Sequence, residues 1–429
     1  MAPALWAATL LAAGPAPAAQ VAVNLEQVGA SDLGRPGVFG DVTVVGTTAV
    51  VATEAPPAAG TACPATAAQV VNLKDPRHPA VVASIPLSAG TTAALDALAV
   101  EGPAFTGDLL AVALSPRAGC GSGGKVAYYD LTDPPHPRLL AETAGAATTI
   151  SLAQRRDGQV LAVRSDPAGV DLSNVTDPAR PAPLFRWTDP LGRDRGCAGA
   201  ARLQDDGEEV VVARGDGRVY ELDPTGPARP AAGPAEGAGG EPHTTHAALL
   251  PLGNRTIAVV SEEGCTANTV AGGGRLRVLD VQRGAPPSEE EPISYPGAGA
   301  PGRLVGSGSL AYVAWHAAGL RVVDFGEVTP RTVAQFAAAD ADVVGVALLP
   351  EHVVVTDAGL GLYVLARPDE GGGRAGFWSQ FLTLLPYLGF PLVAAAFALL
   401  PRWAARRSPA GAPQTAGSPV PSGARRRRA

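Results

Sequence analysis

The chain has 429 residues, 46% of them hydrophobic, and a formal net charge of −7 at pH 7. This much apolar sequence is ample for a hydrophobic core and excludes a wholly disordered protein. Seven of the 33 basic side chains and none of the 40 acidic ones follow residue 376, so the preceding part has a net charge of −14. Such an acidic domain lacks the basic surface of a nucleic-acid-binding protein.

The first 19 residues, MAPALWAATLLAAGPAPAA, have the pattern of a secretory signal peptide. Their apolar run is too short to span a bilayer, and Ala16-Pro17-Ala18 is typical of a cleavage site. The usual Lys or Arg near the start is absent, and a buried N-terminal helix is the alternative. The pattern predicts that the following residues are exported.

One pattern recurs through residues 20–369: an apolar strand-like run, an Asp or Asn, a turn containing proline, and a second strand-like run. It is clearest in KVAYYDLTDPPHPRLLAETAG, Lys125 to Gly145. Aligned on the end of the first run, the copies fall at Asn72, Asp130, Asn174, Asp223, Asp280, Asp324 and Ala366. These positions span 294 residues in six intervals, a mean of 49. A period of this length made of short strands predicts a β-propeller.

Each period resolves into about four short strands, whose middle two are nearly continuous apolar runs, as in strands packed on both faces. The seventh period ends after its third strand. A lone strand-like segment, Val21 to Gly29, precedes the first period. If it supplies the missing outer strand, the ring closes with no open edge. We therefore predict an all-β, seven-bladed propeller whose N-terminal strand completes the last blade.

The repeats resemble those of the LVIVD-repeat family, in which a valine-rich strand is followed by Asp, an aliphatic residue, Ser, Asp and Pro. The best matches are LRVVDFGEVTP, AYYDLTDPPHP and VVNLKDPRHP, and the resemblance spans about residues 21–368. It implies a β-propeller of secreted or surface-attached bacterial proteins. It implies architecture more strongly than any activity.

Four cysteines in an exported chain predict disulfides. Cys63, Cys120 and Cys265 occupy the loop between the second and third strands of their blades, and Cys197 precedes the first strand of the fourth blade. Among three connectivities, we favour Cys63 with Cys120 and Cys197 with Cys265, because each pair joins adjacent blades. No CxxC occurs, which disfavours a zinc site.

Two histidines, His243 and His246 in EPHTTHAALLP, flank the entry to an innermost strand near the central channel. An HxxH pair is a possible metal site. Without a carboxylate or cysteine at fixed spacing, a hydrogen-bonded structural role is favoured. His78 and His136 lie in the repeated turn, and their recurrence is explained by that position. The sequence predicts no metal and no cofactor.

Other candidates for binding lie in the last two periods. Trp315 and His316 replace the small or acidic residues found in the same loop elsewhere, as around Asp357. An aromatic side chain on a ring face is a binding anchor, and packing of the loop is the alternative. Asp340 and Asp342 offer oxygen ligands but lack a calcium-loop pattern, which favours a solvated turn. No catalytic motif follows a strand, so no catalytic residue is predicted.

The C-terminal part has the composition of a membrane anchor. Residues 370–376 form a short glycine-rich linker, and residues 377–400 contain no charge over about 24 positions, enough for a transmembrane helix. The arginines that follow place the C-terminus in the cytoplasm and the propeller outside. Residues 401–429 are predicted to be a disordered basic tail.

Two functions are compatible with this organisation. The first is a binding module that recognises a protein or a cell-envelope polymer, held to the bilayer by one helix and without a role in nucleic-acid binding. The second is a propeller enzyme, a lyase or hydrolase, at the channel mouth. The enzyme requires His, Arg and carboxylate side chains of different blades within hydrogen-bond reach, whereas a mouth lined by Ala, Gly and Val excludes it.

Overall fold

Every regular element in the described part of the chain is a β-strand. The computed structural model describes residues 21–34, 37–56, 63–117, 119–120, 123–166, 169–188, 200–203, 210–213, 219–222, 229–232, 244–253, 255–262, 274–281, 288–295, 299–327 and 329–368. The predicted signal peptide, linker, transmembrane segment and tail lie outside these ranges. Within them, no helix long and apolar enough to span a membrane is present.

The strands of the first half are as follows. Two short strands come first, β1 (Val21–Val23) and β2 (Gln27–Ser31). The first sheet contains β3 (Val38–Val45), β4 (Thr48–Ala55), β5 (Ala65–Asn72) and β6 (Ala80–Pro86). The second contains β7 (Thr91–Glu101), β8 (Thr106–Pro116), β9 (Lys125–Asp130) and β10 (Arg138–Ala144). The third contains β11 (Thr149–Gln154), β12 (Val160–Asp166), β13 (Gly169–Asn174) and β14 (Ala182–Thr188).

The second half continues the same order. The fourth sheet contains β15 (Ala200–Leu203), β16 (Val210–Ala213), β17 (Val219–Leu222) and β18 (Arg229–Ala232). The fifth contains β19 (Thr244–Leu252), β20 (Arg255–Glu262), β21 (Arg275–Val281), β22 (Ser288–Glu289) and β23 (Ile293–Ser294). The sixth contains β24 (Leu304–Ser307), β25 (Leu310–Ala314), β26 (Leu320–Asp324) and β27 (Arg331–Ala337). The last contains β28 (Val343–Leu348), β29 (His352–Asp357) and β30 (Gly361–Ala366).

The described strands thus pair into seven antiparallel sheets, one for each aligned period. The first strand of each sheet contacts the first strand of the next, and β28 returns to β3, which closes the ring. The predicted all-β propeller fold is confirmed. Its core lies between neighbouring sheets. For example, Val50 and Val70 of the first sheet pack with Leu110 and Val112 of the second, all four fully buried.

The N-terminal segment closes the ring differently from the prediction. A single strand over Val21 to Gly29 was expected on the last sheet, but two strands form on two sheets. β2 is the outer strand beside β30, whereas β1 adds a fifth strand to the sixth sheet beside β27. Asn24 separates them, because its φ of 54° breaks the extended backbone and its side-chain amide donates to Val333 O at 2.7 Å.

The repeated Asp-Pro turn is a scaffold element, as predicted. In the first sheet, His78 N–H donates to Asp75 O at 3.1 Å, and the His78 ring Nδ1 lies 2.7 Å from Asp75 Oδ2. His136 and Asp133 repeat this geometry in the second sheet, with Nδ1 2.9 Å from Oδ2. The hydrogen bond from the His78 ring lowers the pKa of Asp75 below its usual value. Both histidines therefore belong to turns.

Candidate functional site

The side chains that the repeats do not share collect on one face of the ring. The four strands of each sheet alternate in direction. The loop between the second and third strands therefore emerges on the same side of the ring as the loop that leads from the fourth strand to the first strand of the next sheet. Cys63 and Cys120 lie in loops of the first kind, as does His316 between β25 and β26, while Asp342 lies in a loop of the second kind. We call this side, defined by these four residues, the disulfide face.

The predicted disulfide between Cys63 and Cys120 is present, and it joins the first and second sheets. Their Cα atoms are 5.6 Å apart. Gly90 sits against the bridge with a φ of +70°, and a Cβ there would lie 2.3 Å from Cys120 Cβ. Only glycine fits this position, because both the positive φ and the close approach exclude a side chain. Cys197 and Cys265 lie outside the described residues.

Trp315 is not a surface anchor. Its side chain is fully buried, and its indole N–H donates to Gly299 O at 3.1 Å. The Tyr295 ring meets it edge-on, with centroids 4.6 Å apart. Trp315 packs with Leu276 and Val278 of the fifth sheet, so the binding interpretation is wrong for this residue and the packing alternative is correct.

His316 and Asp342, by contrast, come together on the disulfide face. His316 Nδ1 lies 2.6 Å from Asp342 Oδ1, and both side chains are partly exposed. The His316 backbone also exchanges two hydrogen bonds with Val343, of 2.9 and 3.1 Å. Gly319, with a φ of +76°, closes the tight turn that presents His316. The pair therefore bridges the sixth and last sheets.

Asp357 supports this pair rather than facing solvent. It is 1% exposed, and its Oδ2 accepts the N–H of Asp342 at 2.8 Å. Its Oδ1 accepts the N–H groups of Gly359 and Leu360, each at 3.0 Å. Asp340 is exposed in the same loop as Asp342, with a φ of 55°. Asp357 thus holds the loop in place.

The channel end at this face contains an ion pair that no sequence motif indicates. Arg303 Nη1 lies 2.6 Å from both carboxylate oxygens of Asp41, and both side chains are largely buried. Asp41 also accepts the N–H groups of Leu95 at 2.8 Å and Val42 at 2.9 Å. Burial raises the pKa of Asp41, and this effect outweighs the opposing influence of Arg303 and the two N–H groups.

Polar side chains on the innermost strands also tie one sheet to the next. Asp41 on β3 accepts the N–H of Leu95 on β7. Asp96 on β7 accepts the N–H of Leu152 on β11 at 2.7 Å, and Ser151 accepts the N–H of Leu203 on β15 at 3.2 Å. Positions 41, 96 and 151 are each 55 residues apart. Single polar residues at this spacing in otherwise apolar strands were the sequence pattern that could have predicted these contacts between sheets.

His246 lies beside the ion pair. With Asp41, Arg202 and Arg303 it lines a cavity of about 30 Å³. Its Nδ1 is buried and has no hydrogen-bond partner within the described ranges. Burial, then the charges of Arg303 and Arg202, lower the pKa of His246 to about 3. The imidazole is therefore neutral at pH 7.

The predicted metal alternative for His243 and His246 gains no support from this geometry. His243 lies outside the described residues, and no group of three or more His, Cys, Asp or Glu is assembled within the described ranges. Two arginine side chains line the cavity at His246, and their positive charge opposes a cation there.

Acidification is expected to destabilise the fold through His246. A group whose folded pKa is depressed from 6.5 to about 3 stays neutral in the native state while the unfolded chain takes up the proton. The contribution of the neutral His246 to the free energy of unfolding is complete above pH 6.5 and decreases as the pH falls, by about 2 kcal/mol near pH 5. Urea unfolding of the full chain above pH 6.5 and at pH 5 measures this decrease.

The matched variants for this experiment are His246→Gln, which removes the titration, and His78→Gln, which alters a side chain that is 82% exposed. We expect the first to flatten the pH dependence of the unfolding free energy and the second to leave it unchanged. Equal slopes for the wild type and His246→Gln would contradict the assignment.

No protein-family model matches this sequence, and comparison with curated proteins finds no significant match. Among solved structures, a chain of the crystal structure of a mitotic checkpoint complex is 13% identical with a TM-score of 0.50, covering 86% of this chain and 100% of that one. The C-terminal WD40 domain of Sif2 is 12% identical with a TM-score of 0.46, covering 80% and 98%. The first likeness, at this identity, shows the propeller fold alone.

Proposed function

We propose that this chain is a membrane-anchored, extracytoplasmic propeller that binds a protein partner through the disulfide face. One observation carries the proposal: the disulfide face bears two features that the repeats do not share, the Cys63–Cys120 bridge and the His316–Asp342 pair. Each of them ties together loops of two adjacent sheets. Loops held in one conformation lose less entropy on binding, which favours affinity.

Several features support the location. A disulfide persists in oxidising compartments, which agrees with the predicted export of the propeller. The uncharged segment over residues 377–400 and the arginines after it support one transmembrane helix with a cytoplasmic tail. The resemblance of the repeats to the LVIVD-repeat family supports a surface location as well. The basic tail then lies near anionic lipid headgroups.

A protein partner is favoured over a cell-envelope polymer. The similar chain comes from the crystal structure of a mitotic checkpoint complex, and its place in an assembly of proteins supports an interaction role here. The polymer remains the alternative outcome of the experiment.

The enzyme alternative has one observation in its favour. Asp41, His246 and Arg303, from three different sheets, converge at the channel mouth instead of Ala, Gly and Val alone. The carboxylate of Asp41, however, is occupied by Arg303 and two backbone N–H groups. A cavity of about 30 Å³ has space for two or three waters at about 10–15 Å³ each, and none for a typical substrate. This geometry favours a structural role over catalysis.

Photo-crosslinking on intact cells tests the binding proposal. A photoreactive amino acid replaces exposed Ala317 on the disulfide face, and the matched control replaces exposed Lys74 in a loop between third and fourth strands, on the opposite face. We expect a protein adduct from position 317 that is absent from position 74 and from a tail-only chain of residues 370–429.

Mass spectrometry of the adducts separates the outcomes. Peptides of one partner protein at position 317 would support the proposal, whereas an adduct that contains glycan and no peptide would identify the polymer instead. Equal adducts from both faces, or none above the tail-only chain, would show that the disulfide face is not the binding surface.

A further inference from the structure

We propose that the channel mouth holds a small monovalent oxyanion or carboxylate, bound between His246 and Arg303 in the cavity that Arg202 and Asp41 also line. This channel site is distinct from the proposed partner surface and does not depend on it. It lies among the first residues of the innermost strands, since His246 is the third residue of β19 and Arg303 directly precedes β24. It therefore opens toward the disulfide face.

Two buried nitrogens in the channel site have no hydrogen-bond partner in the described part of the chain. Arg303 is 8% exposed, and while its Nη1 is used by Asp41, its Nε has no hydrogen-bond partner among the described residues. His246 Nδ1 is likewise buried and unpartnered there. A buried donor left unsatisfied costs about 1–3 kcal/mol, and more when it is charged. Arg303 Nε is a donor, and His246 Nδ1 is a donor in the tautomer that carries its proton on that atom, so a single acceptor satisfies both nitrogens.

The charges of the lining select an anion. Arg202 and Arg303 carry two positive charges, and Asp41 carries one negative charge whose oxygens are already bonded. A monoanion is attracted by the buried charge of Arg303 and accepts from both nitrogens. A charge-assisted hydrogen bond to an arginine is about twice as strong as one between neutral groups.

The size of the channel site limits the ligand. The cavity has a volume of about 30 Å³, and one water needs about 10–15 Å³. A planar monoanion such as formate or nitrate fits this space, and its flat oxygen pair matches the donor geometry of a guanidinium group. A sugar acid such as gluconate, which carries the same carboxylate on a long chain, is too large to enter.

Formate and gluconate are therefore the matched probes. The full chain in detergent is titrated with sodium formate, with sodium gluconate keeping the ionic strength constant. Because a ligand of the native state stabilises it by mass action, we expect a saturable rise of the unfolding temperature with formate and none with gluconate alone. Calorimetric titration gives the dissociation constant.

Two variants locate the site. His246→Phe keeps a ring in place but removes the donor, and we expect at least tenfold weaker formate binding. Arg138→Gln, at a side chain that is 70% exposed, is the control and should bind as the wild type does. The wild type decides the question even if His246→Phe fails to fold, since absence of a saturable formate effect overturns the proposal. Equal affinity in the wild type and His246→Phe also overturns it.

Discussion

Replacing Arg303 with methionine is expected to lower the free energy of unfolding by about 3–5 kcal/mol, the usual cost of leaving one member of a buried ion pair without its partner. Asp41 would then keep a buried negative charge that Arg303 no longer offsets, while the N–H groups of Leu95 and Val42 still donate to it. Its pKa, already raised by burial, would rise further without Arg303. Urea unfolding of the full chain measures the loss.

The pH dependence of this variant identifies the cause. Burial raises the folded pKa of Asp41 above its unfolded value of 3.8, so the native state binds this proton more tightly than the unfolded chain does. Protonation of Asp41 therefore stabilises the fold at low pH, and this stabilisation is lost as the pH rises through the folded pKa. The Arg303→Met variant should therefore recover part of its stability on acidification below neutral pH, against the trend expected from His246. The double variant Asp41→Asn with Arg303→Met should be more stable than Arg303→Met alone.

An exposed ion pair provides the control. Arg138 and Asp130 are 3.0 Å apart, but the Arg138 side chain is 70% exposed, and such pairs contribute about 0–1 kcal/mol. Arg138→Met should accordingly change the unfolding free energy little. A similarly small effect for Arg303→Met would mean that the pair in the channel does not hold the ring together.

Removing the Cys63–Cys120 disulfide by replacing both residues with serine is expected to cost about 4 kcal/mol, because the bridge closes a loop of 57 residues and restricts the unfolded chain. The bridge also joins the first and second sheets on the disulfide face, so unfolding should begin more readily between them. Chemical unfolding without reductant compares the double variant with the wild type.

Reductant completes this experiment and tests the second predicted pair. Dithiothreitol should destabilise the wild type to at least the level of the double variant. A further loss in the double variant is expected if Cys197 and Cys265 are also joined. If the double variant were as stable as the oxidised wild type, the bridge would have no role in holding the two sheets together.

The fold was predictable from local pattern. Strand runs such as Lys125 to Asp130, recurring about every 49 residues with a turn after each, require only short-range hydrophobic patterning and turn chemistry. The pairing of Cys63 with Cys120 followed from the same repeat, because equivalent loops of adjacent sheets lie near each other. These features survive in the structure since they depend on neighbouring residues and on the regular stacking of sheets.

The errors arose where the repeat is interrupted. Trp315 looked like a surface anchor because its loop differs from the others, but the direction of one side chain is decided by packing against the fifth sheet. The N-terminal segment was taken as one strand, and the conformation of Asn24 divides it between two sheets. Neither outcome is visible in a periodic pattern, which carries no information on side-chain direction or on local backbone breaks.

By itself, then, the sequence determined a closed array of short-stranded sheets, the cysteines that join two of them, and the scaffold role of His78 and His136. Only the tertiary structure decided what lies at the channel mouth. Asp41 and Arg303 are separated by 262 positions and meet because the ring brings the first and sixth sheets to a common axis. Burial there converts ordinary polar residues into an ion pair and a neutral histidine, since both effects depend on distance and desolvation after the ring has closed.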